Sequence, residues 1–246
     1  MTLKVENLVG GYSQVPVLKD ISFEVKQGQL VGLIGLNGAG KSTTIKHIIG
    51  LLQPQKGKIT IDGVSLKTSP QVYKQKMAYI PETPILYEEL TLKEHLELTM
   101  MAYCLETKQA WEKANKLLKT FRLENKLDWF PANFSKGMKQ KVMIVCAFIT
   151  EASLYIIDEP FLGLDPLATK DLLDLIAQKK TEGAAVLMST HVLSTAQEYC
   201  DSFVMIDQGQ LTAKGNLADL RQQFSAPKAS LSEIYLELAR VGERNA

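Results

Sequence analysis

A glycine-rich loop between an apolar run and a helix-like run limits what this chain can fold into more than any other feature. The glycine loop, residues 35–42, reads Gly35-Leu36-Asn37-Gly38-Ala39-Gly40-Lys41-Ser42. Apolar residues 30–34 precede it, and residues 43–49 continue as a helical pattern. A strand, a glycine-rich turn and a helix in this order predict a phosphate-binding loop, and an ordinary turn before a helix is the alternative.

The residue types in the glycine loop suit a nucleoside triphosphate. Glycine lets successive backbone N–H groups curve around a polyphosphate where a Cβ atom would clash, and the N-terminus of the following helix adds partial positive charge. Lys41 can reach the β- and γ-phosphates, and the Ser42 hydroxyl can ligate Mg²⁺. Because the flanking strand and helix disfavour the simple turn, the sequence predicts a nucleoside triphosphate site.

Composition is that of an ordinary globular protein. The chain has 246 residues, 46% hydrophobic and 22% charged, which suffices for one large domain or two small ones. Its 28 basic and 27 acidic residues give a net charge of +1, so we expect no general attraction to nucleic acid or anionic lipid.

The sequence also gives information on membrane-spanning segments, a signal peptide and cysteine patterns. The longest apolar run, residues 142–149, is far shorter than the roughly 20 residues that span a bilayer. The N-terminal residues show no signal-peptide core, and the three scattered cysteines suggest neither disulfides nor a zinc site. We therefore expect a cytoplasmic protein whose contact with a membrane comes through a partner.

Hydrophobic periodicity divides the chain into segments. Alternation predicts strands over residues 3–8, 17–25 and 57–63, and a 3.6-residue period predicts helix over 91–124 and 136–150. From residue 154 the pattern alternates between strands (154–157, 184–188, 203–206) and helices (167–181, 195–199). This alternation predicts a mostly parallel sheet with crossover helices, into which a helical stretch of about 84–150 is inserted.

The last part of the chain has a different pattern. After about residue 225, the spacing of Leu231, Ile234, Tyr235 and Leu238 predicts a short amphipathic helix within a tail of residues 226–246. Such a helix packs either on the body of the protein or against a partner.

Two acids follow the apolar residues 154–157. Asp158 and Glu159 would lie at the carboxyl end of a buried strand, where ligands of parallel sheets bind. Asp158 suits the Mg²⁺ shell, and Glu159 can polarise a water molecule for in-line attack on the γ-phosphate. Solvated acids at a turn would be the better interpretation of this segment alone, but the glycine loop reverses that preference.

Two further segments carry candidate residues. His191 ends another predicted strand of the same sheet, so it can touch the γ-phosphate or the attacking water, and a purely structural histidine is the alternative. Residues 134–138, the signature segment, open a helix that Ser135 can cap. That helix N-terminus can also face a phosphate. Since the glycine loop of the same chain already occupies one side of the nucleotide, this phosphate would belong to a second protomer.

These elements and their order resemble the ATP-binding subunit of an ABC transporter over about residues 2–225. The glycine loop resembles the Walker A loop, and Asp158 and Glu159 resemble the Walker B aspartate and the catalytic glutamate. The signature segment stands where that family carries Leu-Ser-Gly-Gly-Gln, residues 163–166 resemble the D-loop, and His191 resembles the switch histidine. Tyr12 resembles the aromatic residue that stacks on adenine. Residues 79–84, 134–141 and 156–167 are similar to the EcsA-type subunits of Gram-positive bacteria.

The resemblance implies a fold and a set of site residues. The fold is α/β, a RecA-like P-loop NTPase with a mostly parallel sheet core, an N-terminal antiparallel β subdomain and an inserted α-helical subdomain. The residues implied to bind ATP are Tyr12, Gly35, Leu36, Asn37, Gly38, Ala39, Gly40, Lys41, Ser42, Thr43, Glu82, Ser135 and Gly137. The implied catalytic residues are Glu159, His191 and Lys41, and the implied Mg²⁺ ligands are Ser42, Asp158 and Glu82.

The resemblance also implies partners. It predicts a head-to-tail homodimer with two composite ATP sites, docked on integral-membrane transporter subunits at the inner face of the cell membrane, with no nucleic acid. The expected docking surface is the Glu82 loop, residues 82–90, together with the inserted helices. Its exposed candidates are Tyr87, Leu86 and Phe130, and a position in the core is the alternative for each. The sub-family suggests export of peptides or a secretion-related role.

Two departures from the family pattern bear on mechanism. Glu82 stands where the family usually has glutamine, and we interpret it as a sensor of the metal or water that relays the nucleotide state to the membrane partner. In the signature segment only Ser135 and Gly137 match the family, because Lys136 and Met138 replace the first glycine and the glutamine. Lys136 either contributes a cation to the partner's nucleotide or is a solvated residue at a helix start.

Three other functions fit less well. A soluble ABC-type ATPase of translation or DNA repair usually carries two cassettes, long coiled coils or zinc-binding cysteines, which this sequence does not show. A non-hydrolysing, ATP-gated module is disfavoured by the set Asp158, Glu159 and His191. A GTPase is disfavoured because no Asn-Lys-x-Asp motif is found.

Overall fold

Two β-sheets organise the computed structural model, which describes residues 2–244. In chain order the strands are β1 (Leu3–Gly10), β2 (Leu18–Val25), β3 (Leu30–Ile34), β4 (Lys56–Ile61), β5 (Met77–Ile80), β6 (Leu154–Asp158), β7 (Ala185–Ser189), β8 (Ser202–Asp207) and β9 (Gln210–Gly215). Within the described residues the smaller sheet has the order β2-β1-β4 and the larger sheet β5-β6-β7-β3-β8-β9. The smaller sheet is antiparallel, and the larger one is parallel except between β8 and β9. The predicted mostly parallel core and N-terminal antiparallel sheet are confirmed.

The helices connect these strands and cover them. They are α1 (Lys41–Ile48), α2 (Pro70–Gln75), α3 (Leu92–Ala102), α4 (Thr107–Phe121), α5 (Lys136–Ile149), α6 (Pro166–Thr181), α7 (Leu193–Tyr199), α8 (Leu217–Gln223) and α9 (Leu231–Arg244). Helices α3, α4 and α5 lie in the chain between β5 and β6. Of the helices in residues 2–244, none is both long and apolar enough to cross a bilayer.

Side-chain alternation divides the apolar core between the two faces of the larger sheet. In β6, Leu154 and Ile156 pack with α1 and the antiparallel sheet, whereas Tyr155 and Ile157 pack with α3, α4 and α5. The strand is therefore buried on both faces and reads as a continuous apolar run, as expected for a central parallel strand. Phe148 of α5 stacks on Tyr155 with 4.7 Å between ring centroids, which fixes the inserted helices to the sheet.

The structure differs from the sequence prediction at several places. The helical pattern predicted over 91–124 is two helices, because Cys104 adopts a left-handed backbone (φ 54°) and the Glu106 side chain caps the second helix. Helices α2 and α8 and strand β9 have weak periodicity and were not predicted. For Leu86, an exposed position and a core position were the two alternatives, and the structure has it packed against the core beside the inserted helices.

The C-terminal helix α9 packs on the body of the protein. Leu231 and Ile234 are fully buried in a third apolar cluster together with residues of α7, β8 and α8. The backbone N–H of Leu231 donates to the side-chain Oε1 of Gln197 in α7 at 2.6 Å. Of the two arrangements expected for this helix, the structure has the one in which it contacts its own chain.

We predict that Phe148→Ala lowers the free energy of unfolding by about 3–5 kcal/mol, because it leaves a cavity where the aromatic ring meets Tyr155. Phe148→Leu should cost roughly 1 kcal/mol, since it keeps most of the apolar volume. Urea denaturation followed by circular dichroism measures both. Leu51→Ala, at an exposed position, is the control and should stay within about 0.5 kcal/mol of the parent. An equally small effect of Phe148→Ala would contradict the packing argument.

Candidate active site

Four neighbouring strands end at one edge of the larger sheet, and the candidate residues follow those ends. The strand order β5-β6-β7-β3 is parallel throughout, so the four carboxyl ends meet at the same edge. Glu82 follows β5, Asp158 ends β6, His191 follows β7, and Gly35 follows β3. The topology thus brings together side chains that lie up to 156 residues apart in the chain.

The strand ends line a cleft of about 670 Å³. Among the predicted site residues, those that line it are Gly35, Leu36, Asn37, Lys41, Ser42, Glu82, Glu159 and His191. Five further residues complete its wall: Ile34, Leu162, Thr190, Leu193 and Tyr235. The cleft is large enough for a drug-sized ligand, and charged and hydroxyl side chains are among its lining residues.

The glycine loop has the geometry of an anion cradle. At Gly35 a Cβ atom would lie 2.3 Å from the backbone oxygen of Ile206, and Gly40 has a φ of 114°, so neither position accommodates a side chain. Helix α1 begins directly at Lys41, and no described side chain caps it. Its first N–H groups therefore remain available to a phosphate.

Lys41 is held inside this loop. Its Nζ donates to the backbone oxygen of Gly35 at 2.7 Å and to that of Leu36 at 3.3 Å. The side chain is buried, so the ammonium group is fixed beside the backbone rather than free in solvent. Ala39, Gly40 and Thr43 are also buried and shape the loop from behind.

Asp158 is a buried carboxylate in an acidic environment. Burial raises its pKa, and although the Ser189 hydroxyl donates a hydrogen bond to it, the nearby Glu82 and Glu159 raise its pKa further. An ionised carboxylate in this position needs a cation. The donor set of Asp158, Glu82 and the exposed hydroxyl of Ser42 suits Mg²⁺, which prefers oxygen ligands.

That cation would not be held by protein ligands alone. Within residues 2–244, no group of three or more histidine, cysteine, aspartate or glutamate side chains is arranged to hold a metal ion. Mg²⁺ at phosphate-transfer sites takes one or two carboxylates, with substrate phosphates and water completing its octahedral shell. The site therefore fits Mg²⁺ that arrives with a nucleotide.

Glu159 and His191 form a direct pair at the mouth of the cleft. The Oε2 atom of Glu159 accepts hydrogen bonds from Nδ1 of His191 at 2.7 Å and from its backbone N–H at 3.2 Å. Because a carboxylate only accepts, Nδ1 carries the proton in this pair. Glu159 is also in the left-handed region (φ 46°), a conformation that costs energy for a residue with a side chain.

Tyr12 lies outside the cleft with its ring exposed. Lys46 donates to its hydroxyl at 3.1 Å and places Nζ 5.0 Å from the ring centroid. The hydrogen bond from Lys46 lowers the pKa of the tyrosine. The exposed ring is thus held in place by one cation and can offer its face to a base.

Ser135 and Gly137 also lie away from the cleft. The Ser135 hydroxyl accepts from the Met138 backbone N–H at 3.2 Å, so it caps α5 as predicted. A Cβ atom at Gly137 would lie 2.3 Å from the backbone oxygen of Gly163, so the first turn of α5 packs directly on the segment after Glu159. Lys136 is exposed beside them. Within one chain, the signature segment does not close the cleft.

Sequence reasoning missed Ser189 and Tyr235. Ser189 pairs in register with Asp158 across β6 and β7, and its only signal was a small hydroxyl at a strand end. Tyr235 lines the cleft from α9, as does Leu36 of the glycine loop. An amphipathic pattern indicates that a helix has a buried face, but it does not indicate which part of the chain covers that face.

Comparisons with known proteins identify the family. The sequence pattern of the ABC transporter family matches residues 18–162. The ABC-type transporter ATP-binding protein EcsA of Bacillus subtilis (strain 168) is 58% identical over 238 residues, which cover 97% of this chain and 96% of EcsA.

Solved structures agree with that sequence match. A structure described as the ATP-binding subunit of an ABC transporter superposes with a TM-score of 0.95 and 57% identity, covering 97% of this chain and all of the other. The cassette MJ0796, described as a dimeric post-hydrolysis state bound to ADP and Pi, shares the fold with a TM-score of 0.79 at 23% identity, over 87% of this chain and 98% of its own. This chain therefore belongs to the ABC transporter family, in which it is an ATP-binding subunit with ATPase activity.

Proposed function

We propose that two copies of this subunit hydrolyse ATP in a head-to-tail dimer and thereby drive an integral-membrane partner. One observation carries the dimer: Ser135 and Gly137 lie away from the cleft that holds the glycine loop. The free N–H groups of the capped helix α5 can then face only a nucleotide bound elsewhere. The dimeric state described for MJ0796 with ADP and Pi supports this arrangement.

The residues of the cleft divide the work. Lys41 and the N–H groups at the start of α1 hold the β- and γ-phosphates. Ser42, Asp158 and Glu82 would hold Mg²⁺, which supplies charge neutralisation for the transferring phosphoryl group when it is bound. Tyr12 stacks on the adenine ring, and Ser135 and Gly137 of the second subunit close the γ-phosphate side.

Glu159 and His191 act as a pair in this proposal. His191 donates through Nδ1 to Oε2 of Glu159, which leaves Oε1 of the carboxylate to accept a hydrogen bond from the attacking water. Nε2 of His191 is not used in this pair, and the side chain is 67% exposed. In the imidazolium form Nε2 also carries a proton, which it can donate to a γ-phosphate oxygen. The histidine therefore both orients the base and steadies the group under attack.

Hydrolysis changes the charge between the two subunits. The γ-phosphate links the glycine loop of one subunit to the signature segment of the other, so its cleavage and release loosen the dimer. This change of separation is the motion that a membrane partner can use. The ATPase activity of the family and the chemistry of the cleft support this coupling.

The docking surface for that partner is the Glu82 loop together with the adjacent turn. Ile85, Tyr87 and Phe130 are 73%, 62% and 43% exposed, and exposed apolar side chains that form a patch mark interaction sites. Leu86 packs inward and anchors the loop. We place the subunit on the cytoplasmic face of the membrane, held there by these contacts.

The cargo is proposed to be a peptide or another secretion-related substrate that moves outward. This part rests on the resemblance to EcsA-type subunits. The residues that contact the cargo belong to the membrane subunit, so this chain does not contain them. To test the proposal, the intact complex is purified and reconstituted into lipid vesicles, ATP is added, and the compound that the vesicles accumulate is identified. Uptake of a nutrient by those vesicles would contradict it.

We predict that Glu159→Gln slows ATP hydrolysis by about 10²–10⁴-fold, because the amide cannot accept a proton from the attacking water. ATP binding should persist, and the ATP-bound subunit should elute as a dimer in size-exclusion chromatography. Phosphate release measures the rate. Glu151→Gln, an exposed acid just before β6, is the matched control and should be unchanged. Near-normal hydrolysis by Glu159→Gln would remove this residue from its role.

Glu82→Gln tests whether the acidic departure matters. Removing one negative charge near Asp158 should raise the Mg²⁺ concentration for half-maximal hydrolysis by about two- to fivefold. The effect is small because solvent screens the exposed Glu82 side chain. It should also reduce the stimulation of ATPase activity by the membrane partner. Glu89→Gln in the same loop is the control for the Mg²⁺ titration. Unchanged Mg²⁺ dependence together with unchanged stimulation would show that Glu82 senses neither metal nor water.

Ile85→Glu tests the docking surface. A charge placed in an apolar contact is costly to bury, so recovery of the membrane subunit with the tagged chain should fall at least about tenfold. Quantitative mass spectrometry of the detergent-solubilised complex measures the recovery. Leu51→Glu changes an equally exposed leucine on another part of the surface and should not alter it. Equal recovery with both variants would place docking elsewhere.

A further inference from the structure

Gln140 is a polar side chain that the mechanism above does not use, and it is fully buried in α5. Its Nε2 donates to the backbone oxygen of Pro81 at 3.3 Å. Pro81 is the residue directly before Glu82, so the hydrogen bond joins the signature helix to the start of the Glu82 loop. The other end of the amide, Oε1, has no hydrogen-bond partner among the residues that the structure describes.

This arrangement is unfavourable for stability alone. A buried carbonyl oxygen without a partner loses its hydrogen bonds to water, and no hydrogen bond within the protein replaces them. Reversing the amide would place its oxygen against the oxygen of Pro81, which is repulsive, so the orientation is fixed by that contact. An unbranched apolar residue such as methionine would fill the same space without the penalty, and it would remove the link.

The neighbours of Gln140 on α5 form ion pairs at the surface, one with the Glu82 loop and one with the start of α6. Nζ of Lys139 lies 3.2 Å from Oε1 of Glu88 in the Glu82 loop, and Nζ of Lys141 lies 2.8 Å from Oδ2 of Asp165, the cap of α6. Exposed ion pairs hold a geometry weakly, because water and salt screen them. The buried hydrogen bond of Gln140 is therefore the stiff connection between the signature helix and the Glu82 loop.

We propose that Gln140 is a positioning residue that couples the Glu82 loop of a subunit to its own signature segment. A nucleotide held in the cleft shifts Glu82, the shift moves Pro81 together with α5, and the signature segment is then oriented for the nucleotide of the second subunit. This rests on the proposed dimer. The coupling would make each subunit competent to close its partner's site only when its own cleft is filled.

Gln140→Met in a Glu159→Gln parent tests the coupling. The variant should bind a fluorescent ATP analogue within about twofold of the parent and melt at the same temperature or higher. The ATP concentration for half-maximal dimerisation, followed by analytical ultracentrifugation, should rise about tenfold, the midrange of measured couplings between sites. With Glu159 intact, Gln140→Met should lower kcat by a similar factor and leave KM nearly unchanged.

Lys139→Met is the matched control, because it removes an exposed contact with the same loop from the adjacent position of α5. It should shift dimerisation by less than about twofold. If Gln140→Met melts at a lower temperature, Gln140→Leu repeats the measurement with another apolar side chain. Lower melting of both variants, with a parallel loss of ATP binding, would show that Gln140 only holds the fold and would overturn the coupling.

The outcomes also separate this inference from the proposed function. A Glu159→Gln parent that binds ATP and stays monomeric overturns the dimer, and the coupling falls with it. A parent that dimerises beside a Gln140→Met variant that dimerises equally well overturns the coupling alone. Dimerisation that shifts only in the Gln140 variant, with binding and melting preserved, supports both.

Discussion

The order of four parallel strands, β5-β6-β7-β3, is the constraint on which the rest of the site depends. Because β7 lies between β6 and β3, His191 is placed between the acids of β6 and the glycine loop of β3, where it can touch both. The register of β6 and β7 pairs Asp158 with Ser189, so the buried acid has one donor from its neighbouring strand. An insertion of one residue in either strand would turn these side chains to the opposite face of the sheet.

Charge is the second condition at this edge. Glu82, Asp158 and Glu159 bring three carboxylates into one region, and the ammonium of Lys41 is engaged by backbone oxygens. The cleft is therefore short of positive charge near the acids and has free N–H groups near the loop. A nucleotide polyphosphate with a divalent cation meets both needs at once, whereas a free polyphosphate would meet only the second. Burial raises the pKa of Asp158, and the two neighbouring acids raise it further.

Sequence patterns predicted the features that depend on neighbouring residues in the chain. They did not predict contacts between segments that are distant in the chain. The glycine loop and the two acids at the end of β6 were predictable because their residue types are needed at fixed spacing. The end of α3 near Cys104 was not, since a left-handed non-glycine residue leaves no periodic signal. Tyr235 and Gln140 were also missed, because an amphipathic pattern identifies a buried face without its neighbour. For Leu86 the sequence left an exposed and a core position open, and only the packing of the inserted helices decides between them.

The structure explains why this chain keeps two residues of the family's signature, Ser135 and Gly137, and not the others. Gly137 admits no Cβ atom, because its first contact would be the backbone oxygen of Gly163 at 2.3 Å. Ser135 supplies the oxygen that caps α5. Lys136 is exposed and Met138 packs at the edge of the core, so neither position has a steric or hydrogen-bonding demand for glycine or glutamine. A phosphate bound at this helix would be held mainly by backbone N–H groups, which do not depend on those two side chains. The departures therefore change the charge and shape around the phosphate and leave the helix N-terminus that would bind it intact.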